Sequence, residues 1–289
     1  MMIPNRMPSN DEAGQIMGQA LAEHARRHTY CLVVEGVRTT IGTAVAIQLG
    51  QRFFLATAAH VIQGSDHTIK AIVRNRTVPH VANFDAIHCD QQSDVGLLEI
   101  SPLHSNHFAF LTRDRLCERM GTNDYPPTMV VGFPVQLRHT LPPESIGRGA
   151  VLQLILCNTL TYHTRILPSS YWPTEGLPDE NSIPQPLIEE RDMLIDFEPE
   201  QEVRPFTPQS AGRVNAAVEC PTLDPHGMSG GGIWLAQVGM GSQNVSYPDA
   251  PLIGLQVGWH QTRNWLHGIR IGAWLDLVRE EYPDLKDAL

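Results

Sequence analysis

Basic charge is scarce in this sequence of 289 residues. Its 21 Lys and Arg are outnumbered by 31 Asp and Glu, which gives a formal net charge of −10. Because proteins bind nucleic acids through clustered Lys and Arg that face the phosphates, this balance argues against a nucleic-acid partner. Long apolar runs are also missing, since no stretch approaches the roughly 20 residues that a membrane helix requires. We therefore expect neither nucleic acid nor a membrane as a partner.

Cysteines are few and show no pairing pattern. The five are odd in number and none forms a Cys-x-x-Cys motif, so they predict neither a disulfide framework nor a zinc site. The opening residues, from Met1 to Pro8, lack the apolar run of a secretion signal. We expect a cytoplasmic protein with reduced, mostly buried thiols at Cys31, Cys89, Cys117, Cys157 and Cys220.

Short β-branched or aromatic runs, separated by Gly or polar turns, fill most of the chain from residue 30 onward. This spacing is typical of all-β proteins. The runs form two sets joined near residues 113–128, and helices are indicated at both ends, over 9–28 and 273–281. The first set comprises residues 31–34, 42–47, 52–57, 68–73, 80–84 and 95–100, and the second comprises 129–134, 151–156, 160–166, 193–197, 232–236, 251–258 and 268–271.

One segment interrupts the strand pattern. Seven prolines lie between residues 170 and 209, and residues 170–204 carry ten acids against two arginines. Proline prevents regular strands through most of this segment. We interpret 170–209 as a long acidic surface loop that contains the strand at 193–197, and a solvated loop is favoured over a substrate-binding element.

The chemically most informative stretch is His-Gly-Met-Ser-Gly-Gly-Gly-Ile-Trp, residues 226–234. So many glycines are needed only where the backbone takes positive φ or approaches another group closely. A serine on such a turn can face a substrate carbonyl, while its own N–H and that of Gly227 point at the oxygen that becomes negative. Ser229 is thus a candidate nucleophile, although a plain tight loop fits this stretch alone equally well.

A serine nucleophile needs a base, normally histidine, and a carboxylate that fixes the tautomer of that histidine. Of the thirteen histidines, His60 follows an apolar run and three small residues, which would present its ring at a strand end in a crowded cleft. Asp94 stands at the start of the apolar run 95–100, where a buried carboxylate would need a partner such as an imidazole N–H. An ordinary turn residue is the alternative interpretation of Asp94.

Four motifs follow one another along the chain: Thr57-Ala58-Ala59-His60, Asp94-Val95-Gly96-Leu97-Leu98, Val131-Gly132-Phe133-Pro134 and Gly227-Met228-Ser229-Gly230-Gly231. With them the sequence resembles the trypsin-like serine peptidases, which have the chymotrypsin fold. It is most similar to the bacterial intracellular-type and HtrA-like members. The resemblance covers about residues 30–277.

The resemblance implies an all-β fold of two antiparallel six-stranded barrels, with the site in the cleft between them. The first barrel would take residues 30–115 and the second 116–275, including the acidic loop 170–209. A helical extension over 1–29 would precede them, and the end of a C-terminal helix would occupy 276–289.

The resemblance also implies the role of each site residue. His60 would be the general base and acid, Asp94 the orienting carboxylate and Ser229 the nucleophile, and the N–H groups of Gly227 and Ser229 would form the oxyanion hole. Such a serine endopeptidase takes a protein or peptide as its substrate and needs no metal or organic cofactor.

Two usual features of the family are not recognisable in the sequence: its disulfides, and a cleaved activation sequence whose new amino terminus would order the oxyanion loop. Gly232 also stands where proline is common. Because a cytosolic peptidase must be restrained, we expect a regulatory protein partner, an effector or the acidic loop to do so.

The specificity pocket is less well defined. By resemblance, residues before the nucleophile turn and the run 254–260 line the pocket for the residue that precedes the scissile bond. Asp224 at its base would favour Lys or Arg, Leu223 there would favour an apolar residue, and Gln256 or His260 could tune it. The candidate substrate-binding residues are Leu223, Asp224, Gln256, Val257, Gly258 and Trp259, although Trp259 fits a packed aromatic equally well.

Two other functions are compatible with parts of the pattern. Gly-x-Ser-x-Gly also marks the nucleophile elbow of α/β-hydrolase esterases, but that fold requires a helix directly after the serine. Three glycines followed by Ile233, Trp234 and Leu235 favour a strand instead. The second alternative is a catalytically silent binding module that keeps the peptidase fold, although all three triad positions carry the expected residue types.

Overall fold

A computed structural model describes residues 10–35, 40–63, 68–72, 84–118, 127–135, 138–140, 155–157, 160–173, 187–198, 224–236 and 250–289. Its α-helices are α1 Asn10–Arg27, α2 Ala59–Ile62 and α3 Ile271–Glu281. The first six strands are β1 Thr29–Glu35, β2 Thr40–Leu49, β3 Arg52–Ala58, β4 Thr68–Ile72, β5 Phe84–Asp90 and β6 Val95–Ile100. The others are β7 Pro127–Gly132, β8 Arg138–Thr140, β9 Ile155–Cys157, β10 Leu160–Leu167, β11 Asp192–Asp196, β12 Gly232–Leu235, β13 Leu252–His260 and β14 Trp265–Arg270.

The strands form two six-stranded antiparallel units and one small pair. The first unit is a sheet in the order β4-β1-β2-β3-β6-β5, and the second is a closed barrel in the order β10-β11-β14-β13-β12-β7. Strands β8 and β9 pair only with each other. The prediction of two closed barrels is therefore confirmed for the second unit alone, since β4 and β5 do not pair within the described residues.

Most strands agree with the sequence prediction, and two predicted runs lie largely outside the described residues. The predicted run 80–84 falls largely outside the described residues, and β5 begins where that run ends. The same holds for most of 151–156, of which β9 contains the last two residues. The strand inside the acidic segment is present as β11, while residues 174–186 and 199–209 lie outside the described part of the chain. None of the described helices is long and apolar enough to span a membrane.

One apolar core runs through both strand units. It joins side chains of the first sheet, such as Leu55 and Leu98, to barrel residues that include Val131 and Leu255, all at most 1% exposed. A second cluster fills the interior of the barrel around Ile195, which is fully buried. Because strands β3 and β6 are buried on both faces, they read as continuous apolar runs rather than alternating ones.

Helix α1 packs against both units, because it contacts β1 of the sheet and β7 of the barrel. Leu21 and Ala25 of this helix are buried. Arg26 Nε donates to Thr161 Oγ1 on β10 at 3.0 Å, and the His28 ring lies 6.4 Å from the Trp234 ring on β12. The helix is therefore an integral part of the fold rather than a free extension.

Helix α3 makes a similar connection at the other end of the chain. The Trp274 side chain is fully buried, and its Nε1–H donates to Gly96 O on β6 at 3.2 Å. Beyond the helix, the Tyr282 hydroxyl donates to Glu99, which also forms a 2.7 Å ion pair with Arg52. These contacts fix the C-terminal segment to the two strands that precede His60 and follow Asp94.

The partly buried position of His28 predicts that acid weakens the fold. Desolvation lowers the pKa of His28 from 6.5 to about 4. The positive charges of His24, Arg27 and Arg115 act in the same direction, and the hydrogen bond to Ala109 O acts against it. The unfolded chain therefore binds a proton at this side chain between pH 6.5 and 4 while the folded chain does not. The contribution of His28 is complete above pH 6.5 and falls as the pH drops toward 4.

We expect His28→Asn, whose side-chain amide can still donate to Ala109 O, to flatten this part of the stability profile. The measurement is the free energy of unfolding by urea between pH 7 and 4, for the wild type and the variant. Protonation of carboxylates lowers the free energy of unfolding of both chains equally, so the difference between the two profiles isolates the contribution of His28. Parallel profiles would contradict the assignment.

Candidate active site

Asp94 contacts His60 at two points, the backbone N and the imidazole ring. Strand β3 ends at Ala58, and the single turn α2 then carries His60 out of the core, where its side chain is 45% exposed. The His60 backbone N donates to Asp94 Oδ1 at 3.0 Å, and His60 Nδ1 lies 2.7 Å from Asp94 Oδ2. Because an ionised carboxylate only accepts hydrogen bonds, Nδ1 carries the proton, and Nε2 is left as the acceptor.

Asp94 reaches this position from a tight turn between β5 and β6. Its φ is +51°, a left-handed conformation that Asp adopts more readily than most non-Gly residues. The neighbouring pair Ala58–Val95 aligns β3 with β6, and Ala59 N donates to Asp94 O at 3.1 Å. The ladder between these strands therefore sets the position of the carboxylate relative to the imidazole.

The nucleophile turn packs closely against the same strands. Gly230 has a φ of +85°, and a Cβ there would lie 2.0 Å from Thr43 O and 2.3 Å from Thr57 Oγ1. The backbone N of Ala58 would be 3.0 Å away. Only glycine fits, and the turn thereby brings Ser229 beside the end of the strand that leads to His60.

Four consecutive carbonyl groups of the turn are hydrogen-bonded. His226 O accepts from Val135 N at 2.7 Å and Met228 O accepts from Gly231 N at 2.7 Å. Gly227 O accepts from the Thr43 hydroxyl at 2.9 Å, and Ser229 O accepts from Thr43 N at 2.8 Å. Every peptide plane from 226 to 230 is thus fixed by a donor.

These bonds determine where the N–H groups of Gly227 and Ser229 point. In a trans peptide the N–H is directed away from the preceding carbonyl, so each N–H faces away from the donor that holds His226 O or Met228 O. Neither N–H donates to another described residue. Their role as oxyanion donors stays a prediction.

The side chain between these two donors points into the barrel. Met228 is fully buried in the barrel cluster with Val130, Ile233 and Ile253. Its burial orders the turn by apolar packing, without a charged partner. The sequence did not single out Met228, because an isolated Met in a glycine-rich stretch carries no periodic signal.

Ser229 and His60 do not share a hydrogen bond within the described residues. The Ser229 side chain is partly exposed beside the His60 strand, as shown by the close packing of Gly230. In ligand-free serine enzymes this contact is often long and tightens when substrate binds. The structure thus places the turn that carries Ser229 against the strand that leads to His60, and the catalytic roles of both residues stay predictions.

The predicted specificity residues have different environments. Asp224 accepts from the backbone N of His226 at 2.9 Å and also contacts the His226 ring, so its carboxylate serves the turn itself. Gln256 is buried and donates to Gly258 O at 2.8 Å, while its backbone bonds to Gly230 and Gly231. Their roles in substrate recognition stay predictions.

The remaining predicted pocket residues lie along β13 or outside the described chain. Val257 and Gly258 are buried. Trp259 is half-buried, with its ring 5.8 Å from the His226 ring and 6.1 Å from the Phe197 ring. His260 is buried and accepts from Arg263 N at 3.2 Å. Leu223 falls outside the described residues.

The described residues contain no group of three His, Cys, Asp or Glu side chains that could hold a metal ion.

The backbone after the nucleophile turn bears on the esterase alternative, because strand β12 begins at Gly232. An α/β-hydrolase elbow would continue into a helix at this point. The local backbone therefore disagrees with that alternative.

Comparison with known proteins identifies the fold. No protein-family model and no curated protein sequence matches the chain. Among solved structures, an alanine variant of the HtrA-type protease AlgW with a tripeptide is 14% identical with a TM-score of 0.50, and the match covers 92% of this chain and 64% of that one. The chain has the fold of the HtrA-type serine proteases.

Two further structures with the HtrA-type or trypsin-like protease fold match at similar levels. The serine endoprotease from Yersinia pestis is 11% identical with a TM-score of 0.49, and the match covers 96% of this chain and 69% of that one. An inactive alanine variant of Rv3671c from M. tuberculosis H37Rv is 14% identical with a TM-score of 0.47, covering 96% and 98%. The chain spans 61% and 64% of the two AlgW structures, so it matches only part of their length.

The close packing at Gly230 predicts a large effect of adding one methyl group. We expect Gly230→Ala to lower the free energy of unfolding by more than about 2 kcal/mol, because it combines a positive φ with a clash against backbone. Gly272→Ala is the matched control, since a Cβ at Gly272 in α3 meets nothing within 4 Å and alanine favours helix. Denaturant unfolding measures both, and equal stability of the two variants would contradict the packing argument.

Proposed function

We propose that this protein is a serine endopeptidase that hydrolyses peptide bonds through His60, Asp94 and Ser229. The observation that carries the proposal is the His60–Asp94 pair at 2.7 Å, next to a turn whose two N–H groups have no partner among the described residues. A fold shared with HtrA-type proteases supports the same reaction class.

The proposed reaction is acyl transfer to water. Ser229 Oγ attacks the peptide carbonyl as His60 Nε2 takes its proton, and the oxygen that becomes negative accepts from the Gly227 and Ser229 N–H groups. His60 then gives that proton to the leaving amine, which leaves an ester on Ser229. A water molecule, deprotonated by the same imidazole, hydrolyses the ester and restores the enzyme. Asp94 keeps His60 in the required tautomer throughout.

The substrate is a protein or peptide, and the AlgW structures with a bound tripeptide are consistent with this class. The identity of the side chain before the scissile bond stays open, because Leu223 and neighbouring residues are not described. A regulatory protein partner and a cytoplasmic location also belong to the proposal.

Labelling with a fluorophosphonate tests the proposal directly, because the reagent reports an activated serine without knowledge of the substrate. We expect the wild type to be labelled at Ser229 and to cleave members of a peptide library. Ser229→Ala and His60→Ala are expected to lose turnover by a factor on the order of 10⁶, and Asp94→Asn by about 10⁴.

The matched control is Ser101→Ala, which removes a hydroxyl at the end of β6 and is expected to keep full activity. A wild type that is neither labelled nor able to cleave any library member would favour the catalytically silent module. Activity that survives in Ser229→Ala would assign the chemistry to another residue.

A further inference from the structure

Thr43 occupies a central position behind the nucleophile turn. It lies in β2 of the first sheet and is fully buried, yet its backbone and side-chain polar atoms all bond to other segments. Its backbone N donates to Ser229 O at 2.8 Å, and its hydroxyl donates to Gly227 O at 2.9 Å. The same hydroxyl accepts from Phe133 N at 3.0 Å.

The Thr43 hydroxyl fixes a peptide that glycine itself cannot fix. Gly227 has a φ of +91° and no side chain, so its own sterics permit several orientations of the peptides on either side. His226 O is held by Val135 N on one side, and Gly227 O is held by Thr43 on the other. Both bonds together fix the peptides on either side of Gly227, with the Gly227 N–H directed away from Val135.

The Thr43 hydroxyl also connects the two segments that hold Gly227, because it accepts a hydrogen bond from the segment that contains Val135. Phe133, which donates to Thr43, lies two residues before Val135, whose N–H holds His226 O. Loss of this hydroxyl would leave the peptide of the Gly227 carbonyl held only by Met228 N, which donates to Pro225 O at 2.9 Å. It would also loosen the segment that orients the preceding peptide. It would also leave Phe133 N buried without its acceptor, which costs free energy.

Thr43 is linked to the base as well. Its carbonyl accepts from the Thr57 hydroxyl at 2.6 Å, three residues before His60 in the chain. Thr43 thus contacts three parts of the proposed site: the turn with the oxyanion donors, the Ser229 carbonyl and the strand that leads to His60. Thr57 and Thr43 are both fully buried, so water does not compete for these bonds.

We propose that Thr43 is a positioning residue for the reaction at Ser229: its hydroxyl holds the Gly227 carbonyl so that the Gly227 N–H meets the transition state. This inference rests on the proposed function. It predicts a defect in catalysis rather than in substrate binding, because an oxyanion hole stabilises charge that develops only in the transition state.

The test compares Thr43→Val with Thr43→Ser. Valine keeps the shape and the backbone bonds and removes only the hydroxyl, whereas serine keeps the hydroxyl. We expect Thr43→Val to lower kcat on the order of 10- to 100-fold with KM nearly unchanged, which is less than the 10²- to 10³-fold loss known for removing a donor itself. Thr43→Ser is expected to retain most of the wild-type kcat.

Thr29→Val is the matched control for losing a buried hydroxyl. Thr29 is 1% exposed and donates to Ala25 O in α1, on the neighbouring strand β1. Its valine variant is expected to lose stability without a change in kcat. Peptide hydrolysis gives kcat and KM, and denaturant unfolding gives the stability of each chain.

The outcomes separate the two proposals. Absence of labelling and cleavage in the wild type would overturn the proposed function itself, and the role of Thr43 with it. An active wild type with an unchanged kcat in Thr43→Val would overturn the role of Thr43 alone, as would a serine variant no better than valine. Should the valine chain not fold, Thr43→Cys replaces it, and a kcat equal to that of the wild type would again contradict the inference.

Discussion

The close approach of the nucleophile turn to the first sheet is the constraint on which the candidate site depends. Gly230 leaves less space than a methyl group requires against Thr43 and Thr57. This contact joins the unit that carries His60 and Asp94 to the unit that carries Ser229. The hydrogen bonds between the turn and Thr43 depend on it, because the turn can bond to Thr43 only when it lies this close.

Two kinds of interaction hold the turn. The Met228 side chain is buried in the apolar cluster of the barrel, and Thr43 and Val135 donate hydrogen bonds to the carbonyls of the turn. In the family that the sequence resembles, a new amino terminus released by cleavage orders this loop, and no such activation sequence is recognisable in this chain. In this structure the turn is ordered by contacts within the chain, namely the burial of Met228 and the hydrogen bonds from Thr43 and Val135.

The sequence was most informative where chemistry or burial limits the choice of residues. Strand β6 coincides with the predicted run 95–100, because an uninterrupted apolar stretch begins after Asp94. The pairing of His60 with Asp94 was also predicted, since only a few residue types can orient an imidazole. Helix α2 was missed because four residues are too few to show a helical period. The contact from Thr43 to Gly227 spans 184 positions, and no local pattern reveals it. Closure of the first sheet depends on pairing between β4 and β5, which the described residues do not contain.

The continuous apolar core has a consequence for how a substrate can enter. Leu55, Leu98, Val131 and Leu255 belong to one cluster that crosses from sheet to barrel, and helix α1 contacts both sides. A hinge that separated the two units would expose this cluster to water, at a cost that scales with the apolar area uncovered. Access of the proposed peptide substrate to Ser229 therefore does not depend on separating the two units, since this side chain is already partly exposed while they stay packed.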